Sequence, residues 1–218
     1  MKVTTCHCER SAAIKSRGSV AVALFLLSVV STATAKYSGG SGTAQAPYQI
    51  ATAADLIALG ETPADYDKHF LLTADIDLDP NLPGRKVFDR AVIAPYASYF
   101  TGIFDGNGHT ISHLTIKGGI DLGLFGNLAS GAQVKDVGVV DVNITGYSSY
   151  IGGLVGFNSG TVTRCHSTGP VTGDGSVGGL VGQNGGIVTQ CHSTCALRGS
   201  VGATGVGGLG PVSPELWA

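Results

Sequence analysis

One short phrase recurs along this chain: Gly153-Leu154-Val155-Gly156 returns as Gly179-Leu180-Val181-Gly182, with Gly123-Leu124-Phe125-Gly126 before it and Gly208-Leu209-Gly210 after it. The spacings are 30, 26 and 29 residues, and self-similarity at such a period marks stacked supersecondary units. Nine residues beyond each central phrase a near copy begins, Val162-Thr163-Arg164-Cys165-His166-Ser167-Thr168 and Val188-Thr189-Gln190-Cys191-His192-Ser193-Thr194. A chain that repeats in this way winds instead of folding back on itself.

Within each unit the apolar residues follow one template, apolar-x-x-apolar-x-small or apolar. It reads Ile111, Leu114, Ile116; Val134, Val137, Val139; Val162, Cys165, Ser167; and Val188, Cys191, Ser193. No helical period fits, whereas two-residue alternation with one extra residue describes a short strand carrying a bend. Clusters such as Asn158-Ser159-Gly160, Gly173-Asp174-Gly175 and Asn184-Gly185-Gly186 supply the turns. Each inward side chain returns about 2 kcal/mol, ordering each residue costs about 1–2 kcal/mol, and inward residues are the minority, so one coil cannot fold alone. Stacked about 4.8 Å apart, equivalent strands pair above and below and their side chains form interior ladders.

The expected fold is therefore all-β, a parallel β-solenoid (right-handed β-helix, by the crossover rule) of about four coils with a short N-terminal helical and strand cap. Two ladders are expected, Leu114-Val137-Cys165-Cys191 and Ile111-Val134-Val162-Val188. Of the 34 glycines, 25 lie between Gly118 and Gly210, a density that would ruin helices. The same stretch is rich in regularly placed Val, Ile and Leu, which separates it from disordered low-complexity chain.

The amino terminus reads as a secretory signal peptide. Lys2, Arg10, Lys15 and Arg17 precede the apolar run Val20 to Val30, and Ala33-Thr34-Ala35 gives a small-x-small cleavage pattern before Lys36. The run is shorter than the roughly 20 residues of a spanning helix, so cleavage after Ala35 and a secreted or cell-surface chain with no membrane span are expected. The leader removes four basic residues and one acidic residue, which leaves nine basic and fourteen acidic and a net charge of −5. With no basic run or aromatic-basic stripe, nucleic acid is not an expected partner.

Domain boundaries follow from composition: 1–35 signal peptide, 36–47 flexible linker, 48–100 N-terminal cap and first strands, 101–210 solenoid repeats, and 211–218 a non-repeat tail of a truncated chain. The linker carries Ser38-Gly39-Gly40-Ser41-Gly42. In the cap, Thr52-Ala53-Ala54-Asp55 resembles a capping box, and Leu56, Ile57 and Leu59 make a short helix stopped by Gly60. Two strands follow, Phe70-Leu71-Leu72 and Ala74 to Asp79. Such a cap shields the open ladder of the first coil.

The phrase Gly-Gly-Leu-Val-Gly-x-Asn-x-Gly followed by x-Val-Thr-x-Cys-His-Ser-Thr resembles the GLUG-motif repeat of bacterial and archaeal secreted proteins, over about Tyr48 to Gly210. Phe104-Asp105-Gly106-Asn107-Gly108-His109-Thr110-Ile111 is similar to the first-coil phrase of pectate-lyase-like β-helices. The resemblance implies an exported or surface chain, adhesin-like or structural, or the non-catalytic region of a secreted peptidase. It implies fold more strongly than activity.

Asp75, Asp77 and Asp79 share a strand face, but alternate residues lie nearly 7 Å apart, too far for all three to hold one calcium ion. Asp105 and Asn107 add ligands or simply form a turn. His166 and His192 stack on an outer face with no aligned third ligand, and His109 and His113 have no nucleophile at a useful spacing. Cys6 and Cys8 leave with the leader. Cys165 and Cys191 lie within disulfide distance, yet in-register neighbours point side by side, which favours a free thiol ladder; Cys195 is left over. No catalytic, cofactor-binding or metal residue is assigned, and no cofactor is expected. The expected function is a non-catalytic surface solenoid, with surface glycans or other cell-surface proteins as partners. The alternative is a polysaccharide lyase or hydrolase, against which stands the lack of a Lys or Arg cluster beside the carboxylates; only Arg164 and Arg198 decorate the later coils.

Overall fold

Thr52 starts the first helix. In the computed structural model, which describes residues 36–199 and the strand at 205–207, its hydroxyl accepts the Asp55 N–H at 3.1 Å while the Asp55 carboxylate accepts the Thr52 N–H at 3.0 Å. This reciprocal box opens α1 (Ala53–Gly60), whose Leu56 and Leu59 are fully buried. The helix ends at Gly60 as expected, but not through a left-handed glycine cap: Gly60 is its last residue, and Glu61 follows in ordinary right-handed conformation. The missing side chain of Gly60 instead admits the Val92 carbonyl, which occupies the space a Cβ would need.

The strands run in chain order as β1 (Tyr48–Ile50), β2 (His69–Leu72), β3 (Ile76–Asp77), β4 (Ile103–Asp105), β5 (Thr110–Ser112), β6 (Thr115–Gly118), β7 (Phe125–Leu128), β8 (Gln133–Lys135), β9 (Gly138–Val140) and β10 (Asn143–Gly146). They continue as β11 (Ile151–Gly152), β12 (Val155–Asn158), β13 (Thr161–Thr163), β14 (His166–Gly173), β15 (Ser176–Gly178), β16 (Val181–Asn184), β17 (Ile187–Thr189), β18 (His192–Gly199) and β19 (Gly205–Gly207). Every pairing between these strands is parallel. Three regular coils, β4–β7, β8–β12 and β13–β16, follow a looser turn from His69 to Phe100 and precede the start of another. The protein is a parallel β-solenoid.

Interior columns run along the axis as the stacking argument requires. One is Tyr48-Phe70-Phe104-Val134-Val162-Val188. A second is Ile76-Ile111-Val139-Ser167-Ser193. A third is Phe88-Ile116-Ile144-Val171-Leu197, and a fourth is Ile93-Phe125-Val155-Val181. Val137, Cys165 and Cys191 form a further column, joined by His166 N–H to the Val137 carbonyl at 3.2 Å and His192 N–H to the Cys165 carbonyl at 3.1 Å.

These columns correct the expected register of the first regular coil. Ile111 stacks under Val139, not Val134, and Phe104 takes the place assigned to Ile111. Leu114, one residue before the Thr115 that pairs with Asn143, lies under Val142 and not under Val137. The apolar-x-x-apolar-x-apolar template occurs on two consecutive sides of a coil, and the corner Asp105 to His109 holds two more residues than its successors. Asn107 and Gly108, both left-handed at φ 51° and 82°, absorb them.

The bend inside the template is a left-handed residue. Asp136, Arg164 and Gln190 occupy equivalent corners with φ of 55°, 52° and 55°, a conformation costing a non-glycine residue about 1–2 kcal/mol. The turn carries the next residue, Val137, Cys165 or Cys191, back toward the core.

Residues 36–47, expected as a flexible linker, pack onto the cap. Tyr37 is buried against Tyr48 and Phe70, with ring centroids 4.7 and 5.8 Å away, and its hydroxyl donates to Asp65 at 2.8 Å. Burial raises the Tyr37 pKa, and the Asp65 carboxylate adds to the effect. The glycines of this segment make close turns; Gly40 and Gly42 are left-handed. The signal-peptide segment 1–35, its Cys6 and Cys8, the Gly208-Leu209-Gly210 phrase and the tail 211–218 lie outside the described residues.

Candidate functional site

The repeated phrase forms one corner of each coil. Gly152 ends β11 and Gly153 follows it, and a Cβ on either would run into backbone of the next coil. Gly156 faces Asp121 and Gly126 of the coil before, and a Cβ there would lie 2.6 Å from the Asp121 carbonyl carbon and 2.8 Å from the Gly126 oxygen. Leu154 and Leu180 fill the interior and are wholly buried. The asparagine that ends the phrase is internal as well. Asn158 donates to the Asn184 side-chain oxygen at 2.7 Å and accepts the Gly160 N–H at 2.9 Å. Asn184 repeats the turn by accepting Gly186 N–H at 3.3 Å. This ladder satisfies polar groups that would otherwise be stranded in the core, and Leu128 holds the same place one coil earlier. The glycines, leucines and asparagines of the phrase thus serve the stacking of coils.

Outward carboxylates are paired along the axis. Asp105 meets Lys135 of the next coil at 2.6 Å, and Asp136 is held by both Nε and Nη2 of Arg164 at 2.6 Å. Arg164 keeps the Asp136 pKa low. The sequence shows no Lys or Arg cluster beside the carboxylates; each of these two meets a single base from a neighbouring coil, 30 and 28 residues away. Beside Asp105 and Lys135 a groove of about 240 Å³ runs between Pro47 and strands β2, β4 and β8.

Asp75, Asp77 and Asp79 do not converge. Asp75 accepts the Thr110 N–H at 2.8 Å and meets His109 Nδ1 at 3.2 Å; Asp77 meets His113 Nδ1 at 2.8 Å and accepts the Asp79 N–H at 2.9 Å. Asp79 accepts the Asn81 N–H. Among the described residues no three His, Cys, Asp or Glu side chains cluster as metal ligands. The His109 and His113 pairings tie β3 to β5, a role the sequence spacing of 34 and 36 residues conceals.

The His113–Asp77 pair carries a pH dependence. The hydrogen bond to Asp77, helped by the Asp79 and Asp141 charges, raises the His113 pKa, and His113 in turn lowers that of Asp77. The histidine contribution is whole below its unfolded pKa of about 6.5 and is lost as pH rises through the raised folded value. The Asp77 contribution is whole above about 3.9 and is lost as pH falls through its depressed folded value. Both groups are about half exposed, so the effect is small. Thermal melting at pH 5.5 and 8.0 checks it: the native chain should lose more stability on going to pH 8.0 than His113→Asn, and equal losses would refute the pair.

His166 and His192 stack face to face, centroids 5.2 Å apart and planes 6° from parallel. Partial burial, then the neighbouring imidazole, lowers the His166 pKa. The three described thiols are free. Cys191 Sγ accepts the Cys165 N–H at 3.3 Å, and the Cys191 sulfur together with burial raises the Cys165 pKa. A buried polar pair was missed entirely: Asp121 Oδ1 and Asn127 Nδ2 lack hydrogen-bond partners. Burial raises the Asp121 pKa, with the nearby Asn127 amide acting in the opposite direction. Nothing in the spacing of these two residues signals them.

Fold and corner together define a class, the parallel β-solenoids built on glycine-rich repeats. The GLUG motif family matches residues 147–172, the segment from β11 through most of β14. The chain is a β-helix that carries the GLUG motif at these residues. Halomucin of Haloquadratum walsbyi is 36% identical over 152 residues, which is 66% of this chain and 2% of that protein. A protein of Evansella cellulosilytica, provisionally named as a Gly-rich membrane protein, is 33% identical over 138 residues, 58% of this chain and 15% of that one. The chain thus spans only a small part of either relative. A crystal structure provisionally titled as an immunoglobulin A1 protease from Bacteroides ovatus aligns over 82% of this chain and 87% of its own, at 13% identity and a TM-score of 0.32; a likeness that low supports no functional argument. No helix among the described residues is long and apolar enough to cross a membrane.

Proposed function

We propose that this chain is an exported, non-catalytic structural module of the cell surface, which presents solenoid faces to surface glycans or neighbouring surface proteins. The observation that carries the reading is the pairing of the outward carboxylates: Asp75, Asp77, Asp105 and Asp136 are each bonded to a base contributed from elsewhere in the solenoid. A carboxylate so engaged is poorly placed to take a substrate proton. The names of the two relatives, a halomucin and a membrane protein, support a surface setting, and the signal-like leader supports export.

One observation favours a second reading. Asp105 and Lys135 border the groove along β2, β4 and β8, a carboxylate and a cation side by side as a polysaccharide lyase would use them. The two readings separate in one assay. The protein incubated with pectin-like and neutral polysaccharides, with and without calcium, is expected to release no unsaturated product and no new reducing ends. Turnover that disappears in Asp105→Ala would overturn the structural assignment.

A further inference from the structure

We infer that the cleft between α1 and the segment 86–98 is a carbohydrate-binding site, taking a hexose or hexuronate unit of a surface polysaccharide. The inference rests on the surface-module reading and gives it a place on the molecule. The cleft has a volume of about 460 Å³, within the range of small-molecule sites. Its floor is rigid. The Tyr66 hydroxyl donates to the Gly60 carbonyl at 2.8 Å, and the Val92 carbonyl packs onto Gly60 where a side chain would otherwise stand.

Its rim is built to present an aromatic ring. Pro95 to Ser98 form a turn closed by Ser98 N–H on the Pro95 carbonyl at 2.8 Å. Ala94 just before it and Ala97 within it are both left-handed, at φ 47° and 67°. The turn holds Tyr96 65% exposed at the cleft mouth. A tyrosine ring offers a flat apolar surface with a polar end, which suits the C–H face of a pyranose and its surrounding hydroxyls.

The polar groups fit the same ligand. Glu61 and Lys86 line the cleft, and among the described residues neither side chain has an ion-pair or hydrogen-bond partner; the Lys86 ammonium lies 5.5 Å from the Phe88 ring centroid. A free carboxylate accepts from adjacent sugar hydroxyls, and a free ammonium donates to a hydroxyl or a uronate oxygen. Asp89 and Arg90 add one charge of each sign, so the lining is neutral overall and poorly matched to polyphosphates.

The test is isothermal titration of the purified chain with a neutral probe, cellohexaose, and an acidic one, hexagalacturonate. Saturable binding of at least one is expected, weakened about fivefold to tenfold by Tyr96→Ala, the loss of one aromatic contact. Tyr147→Ala, an equally exposed tyrosine on another coil, should leave it unchanged. Lys86→Gln should weaken the uronate more than the neutral probe if the carboxylate is read. Binding indifferent to Tyr96→Ala, with melting temperatures unaltered, overturns the cleft while the surface-module reading stands. No binding of either probe also overturns the cleft, and the turnover assay then judges the surface-module reading independently.

Discussion

Gly156→Ala should destabilise the solenoid by at least about 3 kcal/mol, the upper end of the range for overpacking. The added Cβ would lie 2.6 and 2.8 Å from the Asp121 carbonyl carbon and Cα and 2.8 Å from the Gly126 oxygen. All three are backbone atoms of the preceding coil, so no side chain can move aside. The effect is steric: Gly156 is not among the left-handed residues. Two other glycines isolate the cause. Gly108→Ala meets nothing within 4 Å but must hold φ at 82°, which costs about 1–2 kcal/mol. Gly185→Ala has Asn158 O at 3.6 Å as its nearest neighbour and should be close to neutral. Urea denaturation of the three variants gives the ranking, and a Gly156→Ala midpoint equal to that of Gly185→Ala would refute the close approach of coils at this corner.

Phe125→Ala is expected to cost about 3–5 kcal/mol. Its ring is fully buried, 5.2 Å from Phe100 and 5.3 Å from Phe104, edge-on to both. These contacts join the looser turn His69–Phe100 to the regular coils, and Val155 and Val181 continue the column beyond them. Truncation leaves a cavity between rings that cannot close without shifting strands on both sides. Phe157, whose ring meets Tyr150 at 5.5 Å on the partly exposed face, is the comparison, and Phe157→Ala should lose less than half as much. Equal losses would mean that the aromatic seam contributes nothing beyond side-chain area.

How much of this was legible beforehand depends on the distance over which each feature is decided. The Val134-Val162-Val188 and Val137-Cys165-Cys191 columns could be read directly, because identical spacing in successive units forces identical positions in stacked coils. The bend in the template was also legible, since an extra residue between inward side chains has to be absorbed locally. Ile111 and Leu114 were misplaced because two sides of a coil share one pattern, and only pairing with the strands above tells which side a match occupies. The reason for Gly60, though not the helix end it marks, was hidden in a related way. A glycine at the end of an apolar helix satisfies the rule for a stop, while its actual neighbour, Val92, lies 32 residues away.

The candidate site was the least legible part. Asp105 and Lys135, or Asp136 and Arg164, are unremarkable residues in sequence, and they become ion pairs only when one coil settles on another. The cleft requires two segments, α1 and 86–98, that no repeat relates.

The sequence by itself determined the architecture: parallel coils, glycine corners and interior columns. A period of 26 to 30 residues is a local pattern, and stacking is the one way for such units to bury their apolar faces. Only the tertiary structure decided the register of the first regular coil, the packing of residues 36–47, the partners of Asp75, Asp77, Asp105 and Asp136 and the cleft beside Tyr96. Each of these depends on contacts between residues that the chain separates by a full coil or more, and the energy of such contacts is set by where neighbours come to rest.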